Sequence, residues 1–500
     1  MNANRTQLNI LSNSGLIGCG SGKPLQASRF TRRIVLFSLP VLIVLLASPR
    51  PSALNILFPL FCVVAGWFIL RASASQYLAF TFWIWFLVPL LRRMVDARSE
   101  SSAAGTILLA SYLVSCLPLY DLVFARRTLI DRYSAPLLYI SVAVFYGLLV
   151  GIVHYGASKS LQVLITWMGP MTFAFFIYQN RRMFDELYRA FEQTMIWGTV
   201  VMGTYGVIQY FVLPPWDATW MVNLGNVTFG APKPRELHVF STANAPQLLG
   251  IYLVVGILLA LHSKQRIRIY AVPVGIVCLA FTMARSTWIS FLFSFAYLVL
   301  KGSPRLRIQA LVMAVASVLA MTIALQDPSV AQTISKRFNS FSNVQDDDSF
   351  VSRYEGHQAL FEGLMEKPFG LGLGGVLSGT PPSREETISN NDKGVMQADS
   401  TIAAILTPFG TLGAILVIIA FCLVSIGLIR LKSSPGSSVE ALKMLSFFLL
   451  ALSPLDCVVY GPTGFLCWTI IGFICAAQSR AAKTLCLELR RSGCERMALV

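Results

Sequence analysis

The chain has 500 residues, 55% of them hydrophobic and only 13% charged. A soluble chain of this size carries about 25% charged residues, so a water-soluble globule is excluded. Collagen-like, coiled-coil and disordered classes fail too, because 24 prolines and 35 glycines are ordinary numbers and no heptad repeat runs through the chain. The net charge of +16 collects in short loops between apolar runs, which is the pattern of membrane topology rather than of a nucleic-acid surface. The composition reads as an all-α polytopic membrane protein with no nucleic-acid partner.

In chain order, residues 1–31 are polar and run into Arg29, Arg32 and Arg33 without a cleavage site after a short apolar core. They read as a cytoplasmic tail. A helix crossing the bilayer needs about 17–25 apolar residues. Such runs fall near 32–48, 53–70, 76–91, 104–119, 134–153, 159–178, 190–212, 245–262, 269–284, 286–300, 307–325, 401–427, 441–457 and 461–478. This predicts about 12–14 transmembrane helices. Residues 32–325 form the main bundle, 401–478 the C-terminal helices and 479–500 a second cytoplasmic tail. The stretch 269–300 reads as two short spans or as one re-entrant unit around Arg285.

With the N-terminus inside, alternate loops hold Arg71, Arg126, Arg127, Arg132, Arg181, Arg182, Arg189, Lys264, Arg266, Arg268, Lys301, Arg305, Arg307, Arg430 and Lys432. The opposite short loops hold little besides Arg50 and Lys159. That asymmetry places both termini in the cytoplasm. Arg92, Arg93 and Arg98 break the pattern: the helix count slips there, or these arginines act outside. Two long polar loops fall on the external face, 213–244 and 326–400. The second contains a helix-like stretch, Ser352–Met365, and a loop of that length serves as a lid, binding surface or small domain. The ten cysteines include no C-x-x-C pair, so neither a disulfide framework nor a zinc site is expected.

Several residues could carry chemistry. Arg285 lies between two apolar segments, where a charge is costly unless it faces a cavity, an anion or the interface. Arg92 and Arg93 could grip phosphate oxygens bidentately, with Asp96 nearby. Arg235, His238, Ser241 and Asn244 precede the span at 245 and read as a helix cap or as a helix N-terminus aimed at an anion. In the long loop, Arg353, His357 and Asp399 stand out. Asp399 reads as a general base or as the cap of the following helix. Gly370, Gly372 and Gly375 match G-x-G-x-x-G but lack the strand and helix of a dinucleotide site, and the run Asp346, Asp347, Asp348 reads as a solvated turn.

These elements, in this order, resemble the O-antigen ligase and oligosaccharide repeat-unit polymerase superfamily of bacterial inner membranes. Arg235 to Pro246 is similar to the family's arginine-to-proline approach to a span. Thr282-Met283-Ala284-Arg285-Ser286-Thr287-Trp288 resembles its T-x-S-R-[GS]-x-W signature, with Ala284 in place of serine. Arg353, Pro368, Gly370, Gly372 and Gly374 resemble its arginine and glycine loop. Asp399-Ser400, followed by Phe409, Gly410 and Gly413, resembles its H-N…E-x-G-x-x-G step, with Asp399 where ligases carry histidine.

The resemblance implies glycosyl transfer on the periplasmic face, from an undecaprenyl-diphosphate-linked glycan to a sugar hydroxyl, without metal or other cofactor. Arg285, Asp399 and Arg235 would be catalytic. Arg353, Arg92, Arg93, His357 and His238 would bind diphosphate or glycan. Trp216, Trp220 and Phe350 could stack on sugars. Membrane lipid and a chain-length regulator or flippase would be further partners. Asp399 favours a polymerase of an exopolysaccharide or O-antigen over a ligase acting on lipid A–core. A polysaccharide transporter or flippase is the alternative of another class.

Overall fold

The computed structural model describes residues 51–98, 103–124, 131–224, 229–324, 326, 368–377, 396–397 and 400–497. Arg353, His357, Asp399, Phe350, the run 346–348, the stretch Ser352–Met365 and the apolar run 32–48 lie outside them. The described residues are mainly helical: α1 (Pro51–Ala72), α2 (Ala74–Asp96), a 3-10 turn (Ala103–Leu108), α3 (Leu109–Cys116), α4 (Leu119–Phe124), α5 (Ala135–Tyr155), α6 (Ala157–Gln179), α7 (Phe184–Val212), α8 (Pro215–Leu224), α9 (Pro246–His262), α10 (Arg268–Phe281), α11 (Arg285–Lys301), α12 (Pro304–Ala324), α13 (Thr401–Arg430), α14 (Ser438–Leu452) and α15 (Gly461–Met497). Eight spans among the described residues are long and apolar enough to cross a membrane, and α9 and α10 are shorter apolar helices. Lipid offers no partner for backbone groups, so a chain this apolar closes its hydrogen bonds within helices.

Every apolar run after the first falls on helix, with shifted ends. Helix α7 begins at Phe184 and α15 continues to Met497, while the span near 104–119 is broken into the 3-10 turn, α3 and α4. The stretch 269–300 is two helices, separated at Thr282–Ala284. Residues 215–224 of the first polar loop are helical.

Helix α9 is apolar all round and buried from Leu248 to Leu261, as a central helix must be. Around it, α7 packs on α2, α9 and α10, α13 packs on α5, and α6 lies along α15. Aromatic rings fill the seams. Phe465 stacks on Trp85 at 4.9 Å and meets Phe82 and Phe173 at 4.8 and 4.7 Å.

Polar ties close both ends of the bundle. At one end, Arg71 pairs with Asp121 (2.8 Å), Ser75 donates to Glu186 (2.6 Å), Arg480 pairs with Asp185 (2.6 Å) and Ser303 N–H donates to Glu440 (3.0 Å). Here the helix order also places Arg132, Arg181, Arg182, Lys264, Arg266, Arg268, Lys301, Arg305, Arg307, Arg430 and Lys432. The other end receives Arg92, Arg93, Lys159, Lys233, Arg235 and Arg285. The helix count therefore does not slip at Arg92 and Arg93. They share an end with the 213–244 segment.

Candidate functional site

The site end is assembled from four segments that interrupt helices. Helix α7 stops at Leu213, which adopts a left-handed backbone (φ 46). Arg235 (φ 65), Ser241 (φ 48) and Met283 (φ 53) do the same, and these are the only non-glycine residues with positive φ among the described residues. All four lie at this end. A left-handed backbone costs a residue with a side chain about 1–2 kcal/mol, and such strain persists where surrounding contacts over-determine it.

Those contacts can be followed residue by residue. Tyr210 and Phe281 stack face to face, ring centroids 3.9 Å apart. The Tyr210 carbonyl accepts the Arg235 N–H (2.8 Å), and the Phe281 carbonyl accepts the Val239 N–H (2.9 Å). The Arg235 guanidinium lies 5.7 Å from the Phe211 ring centre. Gly230 and Leu237 form an antiparallel bridge, and His238 N–H donates to the Phe229 carbonyl (2.8 Å). The exposed Arg235 and half-buried His238 are thus carried on a hairpin-like segment pinned to the ends of α7 and α10.

Arg285 opens α11 and is half-buried. Before it, Thr282 turns back through its hydroxyl to the Leu279 carbonyl (2.7 Å), and Trp288 Nε1 donates to the same carbonyl (2.9 Å). The break is therefore tied tightly to α10. A cation on the first helical residue is unfavourable for the helix, whose N-terminus is already positive. The pairing instead concentrates positive potential at one point, which suits an anionic ligand. Gly250 lets α9 approach Thr287 closely, bringing the starts of α9 and α11 together.

Arg92 and Arg93 diverge. Arg92 pairs with Asp96 one turn on (3.2 Å). Arg93 is fully buried, with its Nε 2.8 Å from Asp217. Its other nitrogens donate to the carbonyls of Ser241 and Ala243, and Nη1 lies 3.5 Å from Asn244 Oδ1. Asp217 also accepts from Tyr205 Oη (2.8 Å) and Gln209 Nε2 (2.7 Å). Gln209 Oε1 in turn accepts the N–H groups of Phe240 and Ser241 (3.1 and 2.7 Å). Trp220 is buried against Phe229 and Phe240, and Trp216 donates to Tyr205 Oη (2.7 Å).

The expected cap of α9 is not formed. Its N-cap is Ala245, with no side-chain bond to the helix, while Pro246 starts the helix. Ser241 Oγ instead donates to the Met202 carbonyl (2.6 Å), and the carbonyls of this segment turn toward Arg93. The cap of α13 is Ser400, whose hydroxyl accepts from Ala403 N–H (3.2 Å), so capping does not fall to Asp399.

The glycine segment 368–375 has a definite seat. Helix α13 contains Pro408 and breaks at Gly410 (φ 56, ψ −160). This frees carbonyls that the segment takes up: Leu371 N–H donates to Thr407 O (2.8 Å) and Gly372 N–H to Pro408 O (3.0 Å). On the other side, Leu373 N–H donates to the Gly147 carbonyl (2.8 Å), and Tyr146 Oη to the Phe369 carbonyl (2.8 Å). Gly147 and Gly151, one turn apart on α5, leave room for Phe409 and for the Leu373 backbone. After the glycines, Val376–Leu377 (β1) pairs in parallel with Met396–Gln397 (β2). The chain is thereby returned to Ser400, beside Asp399 in sequence. These glycines let one backbone cross another.

The structure thus brings Arg235, His238 and Arg285 to one end of the bundle, where Arg93 is buried against the segment that carries Arg235 and His238. Sequence reasoning missed Asp217, Gln209 and the glycines of α5. The one available signal was an isolated carboxylate, Asp217, in the same long loop as Arg235 and on the same side as the unexplained Arg93. No curated protein matches the chain at a significant level. Residues 269–418, which include nearly all of α10, Arg285, the glycine segment and the Gly410 break, are similar to the family model described as O-antigen ligase, within a chain that has eight helices long and apolar enough to cross a membrane among its described residues.

Proposed function

We propose that the protein is a polymerase joining undecaprenyl-diphosphate-linked oligosaccharide repeat units of an exopolysaccharide or O-antigen. The convergence of Arg235 and Arg285 at one bundle end carries this reading. The diphosphate leaving group gains negative charge as the glycosidic bond breaks, and fixed cations at a low-dielectric interface stabilise it. Arg285 supplies a guanidinium at the positive end of α11, and Arg235 supplies a second from the pinned 229–244 segment. Asp399, preceding the cap of α13, accepts the proton of the attacking sugar hydroxyl. Arg353 and His357 contribute to glycan binding from the long loop, and His238 from the Arg235 segment. The cation-rich end opposite the site supports a cytoplasmic assignment for that end and for both termini. The site then faces the periplasm from a bacterial inner membrane, where a chain-length regulator or flippase would be a partner.

A second reading, a ligase that moves the finished glycan to lipid A–core, is favoured by the description of the matching family model. Deleting the gene in its native host and profiling lipid-linked and surface glycan separates the two. The polymerase reading expects single lipid-linked repeat units to accumulate. The ligase reading expects long lipid-linked chains and bare core. Complementation by wild type but not by Arg285→Ala ties the phenotype to the site, and unchanged glycans overturn both readings.

A further inference from the structure

We propose that Arg93 and Asp217 form a positioning pair that holds the 229–244 segment, and Arg235 with it, in the geometry used for transfer, and that Arg93 does not itself contact the diphosphate. The inference rests on the reading of Arg235 as a diphosphate ligand, but the clamp can be tested without it.

The geometry leaves Arg93 little capacity for a ligand. Its side chain is 0% exposed, as is that of Asp217. Nη2 donates to Ser241 O and Nη1 to Ala243 O and Asn244 Oδ1, while Nε lies 2.8 Å from Asp217 Oδ1 as an ion pair. The aromatic rings of Phe240 and Trp220 close over the guanidinium, with centroids 4.8 and 5.5 Å away. A phosphate oxygen reaching Arg93 would have to displace a backbone carbonyl or the carboxylate. Adjacent residues on a helix do not face the same way, and Arg92 turns to Asp96 instead, so the arginine pair is not assembled as a two-pronged phosphate clamp.

The network converges on one short stretch. Arg93 takes the carbonyls of Ser241 and Ala243, while Gln209, itself held by Asp217, takes the N–H groups of Phe240 and Ser241. Donor and acceptor groups of the same strained turn are thus fixed by the two sides of one ion pair. Ser241 has φ 48, a conformation a serine keeps when its neighbours enforce it. Three residues earlier the same segment carries His238, and six residues earlier Arg235. Releasing the turn removes the anchors on the C-terminal side of the segment, while the Arg235 N–H bond to Tyr210, the Val239 N–H bond to Phe281 and the bridge at Gly230 remain. A buried ion pair that loses one partner leaves an uncompensated charge, so either single change should open the segment.

The test uses the full-length protein in membrane vesicles, with native cysteines replaced and Thr242→Cys as reporter. Thr242 is 1% exposed and should resist a membrane-impermeant maleimide, whereas Lys233→Cys in the same segment should label in every background. Asp217→Asn and Arg93→Gln are each expected to raise Thr242→Cys labelling at least tenfold and to cut glycan transfer at least tenfold. The double variant should be no worse than either single one, and Arg93→Lys, which keeps the charge but not the fork, should fall between. Tyr205→Phe removes one hydrogen bond from Asp217 while sparing the ion pair. It should give a smaller rise in labelling even where the charge variants fail to reach the membrane. Continued protection of position 242 in Asp217→Asn or Tyr205→Phe membranes overturns the clamp. So does near-normal transfer in Asp217→Asn alongside loss in Arg93→Gln, the pattern of a direct anion ligand. If wild-type vesicles transfer no glycan, the functional reading fails while the labelling still decides the clamp.

Discussion

The backbone of Leu373 occupies the space that a side chain at Gly151 would fill, so the glycine segment crosses α5 where α5 has no Cβ. The crossing is sealed on the far side by the Gly410 break of α13. Exposed loop backbone is not tolerated at membrane depth unless protein covers it. We expect Gly151→Val to expel the 368–375 segment and reduce glycan product at least tenfold while membrane insertion is retained. Gly105→Ala, where an added methyl meets nothing within 4 Å, is the matched control. Glycan profiles at equal membrane protein levels check both.

Arg285→Ala should abolish transfer. Removing a fixed donor from a developing oxyanion costs roughly 10²–10³ in rate, and Arg285→Lys, retaining charge without the planar fork, should recover part of it. The measurement is accumulation of the lipid-linked donor after complementation of the deletion strain.

Arg235 separates folding from activity. Its backbone is left-handed (φ 65), so Arg235→Gly relieves about 1–2 kcal/mol of local strain. Arg235→Gly should therefore melt no lower in detergent than Arg235→Ala, and both should lose transfer equally. A lower melting temperature for the glycine variant contradicts the reading of strain.

At the opposite end, Asp131 joins the loop before α5 to the end of α6. Burial alone would raise its carboxyl, but the Tyr178 hydroxyl, the N–H groups of Ser134 and Tyr133, and Arg181 outweigh it and hold the group below the usual carboxylate range. A depressed folded value contributes stability that is complete above the unfolded value of about 3.9 and is lost as pH falls through the lower folded value. Thermal scans from pH 6 down to pH 2 should show this acid limb in wild type and a shallower one in Asp131→Asn.

The two ends can be assigned by labelling. Cysteines at Lys233 and Ser434 sit in exposed segments at opposite ends. Under the cation-bias argument, only the first should react with an impermeant reagent in intact cells. The reverse pattern inverts the proposed orientation.

The spans were legible because an apolar run of sufficient length has few alternatives in a membrane. Helix α9 shows the principle most fully, being apolar on every face and buried on every face. Helix α8 was not legible: its apolar residues define no clear stripe, and it is held by Asp217 reaching back to Arg93 rather than by periodicity. The motif around Arg285 was visible, including the choice between one re-entrant unit and two helices, but only the Thr282–Ala284 turn decides it. Arg93 illustrates what sequence cannot supply. A buried arginine and a ligand arginine look alike until the acceptors are seen, and its acceptors Ala243 and Ser241 lie about 150 positions downstream. The polar residues before Pro246 looked like a cap for the same reason, since their partners belong to other helices.

The break in α13 also sets an order of assembly. The carbonyls freed by Pro408 and Gly410 find their donors in a segment some 35 residues earlier, and that segment also leans on α5, made far earlier still. Until α13 has left the ribosome and entered the bilayer beside α5, the glycine segment has only half its seat. A nascent chain holding both arginines is therefore still unfinished at this end of the bundle until α13 has been made.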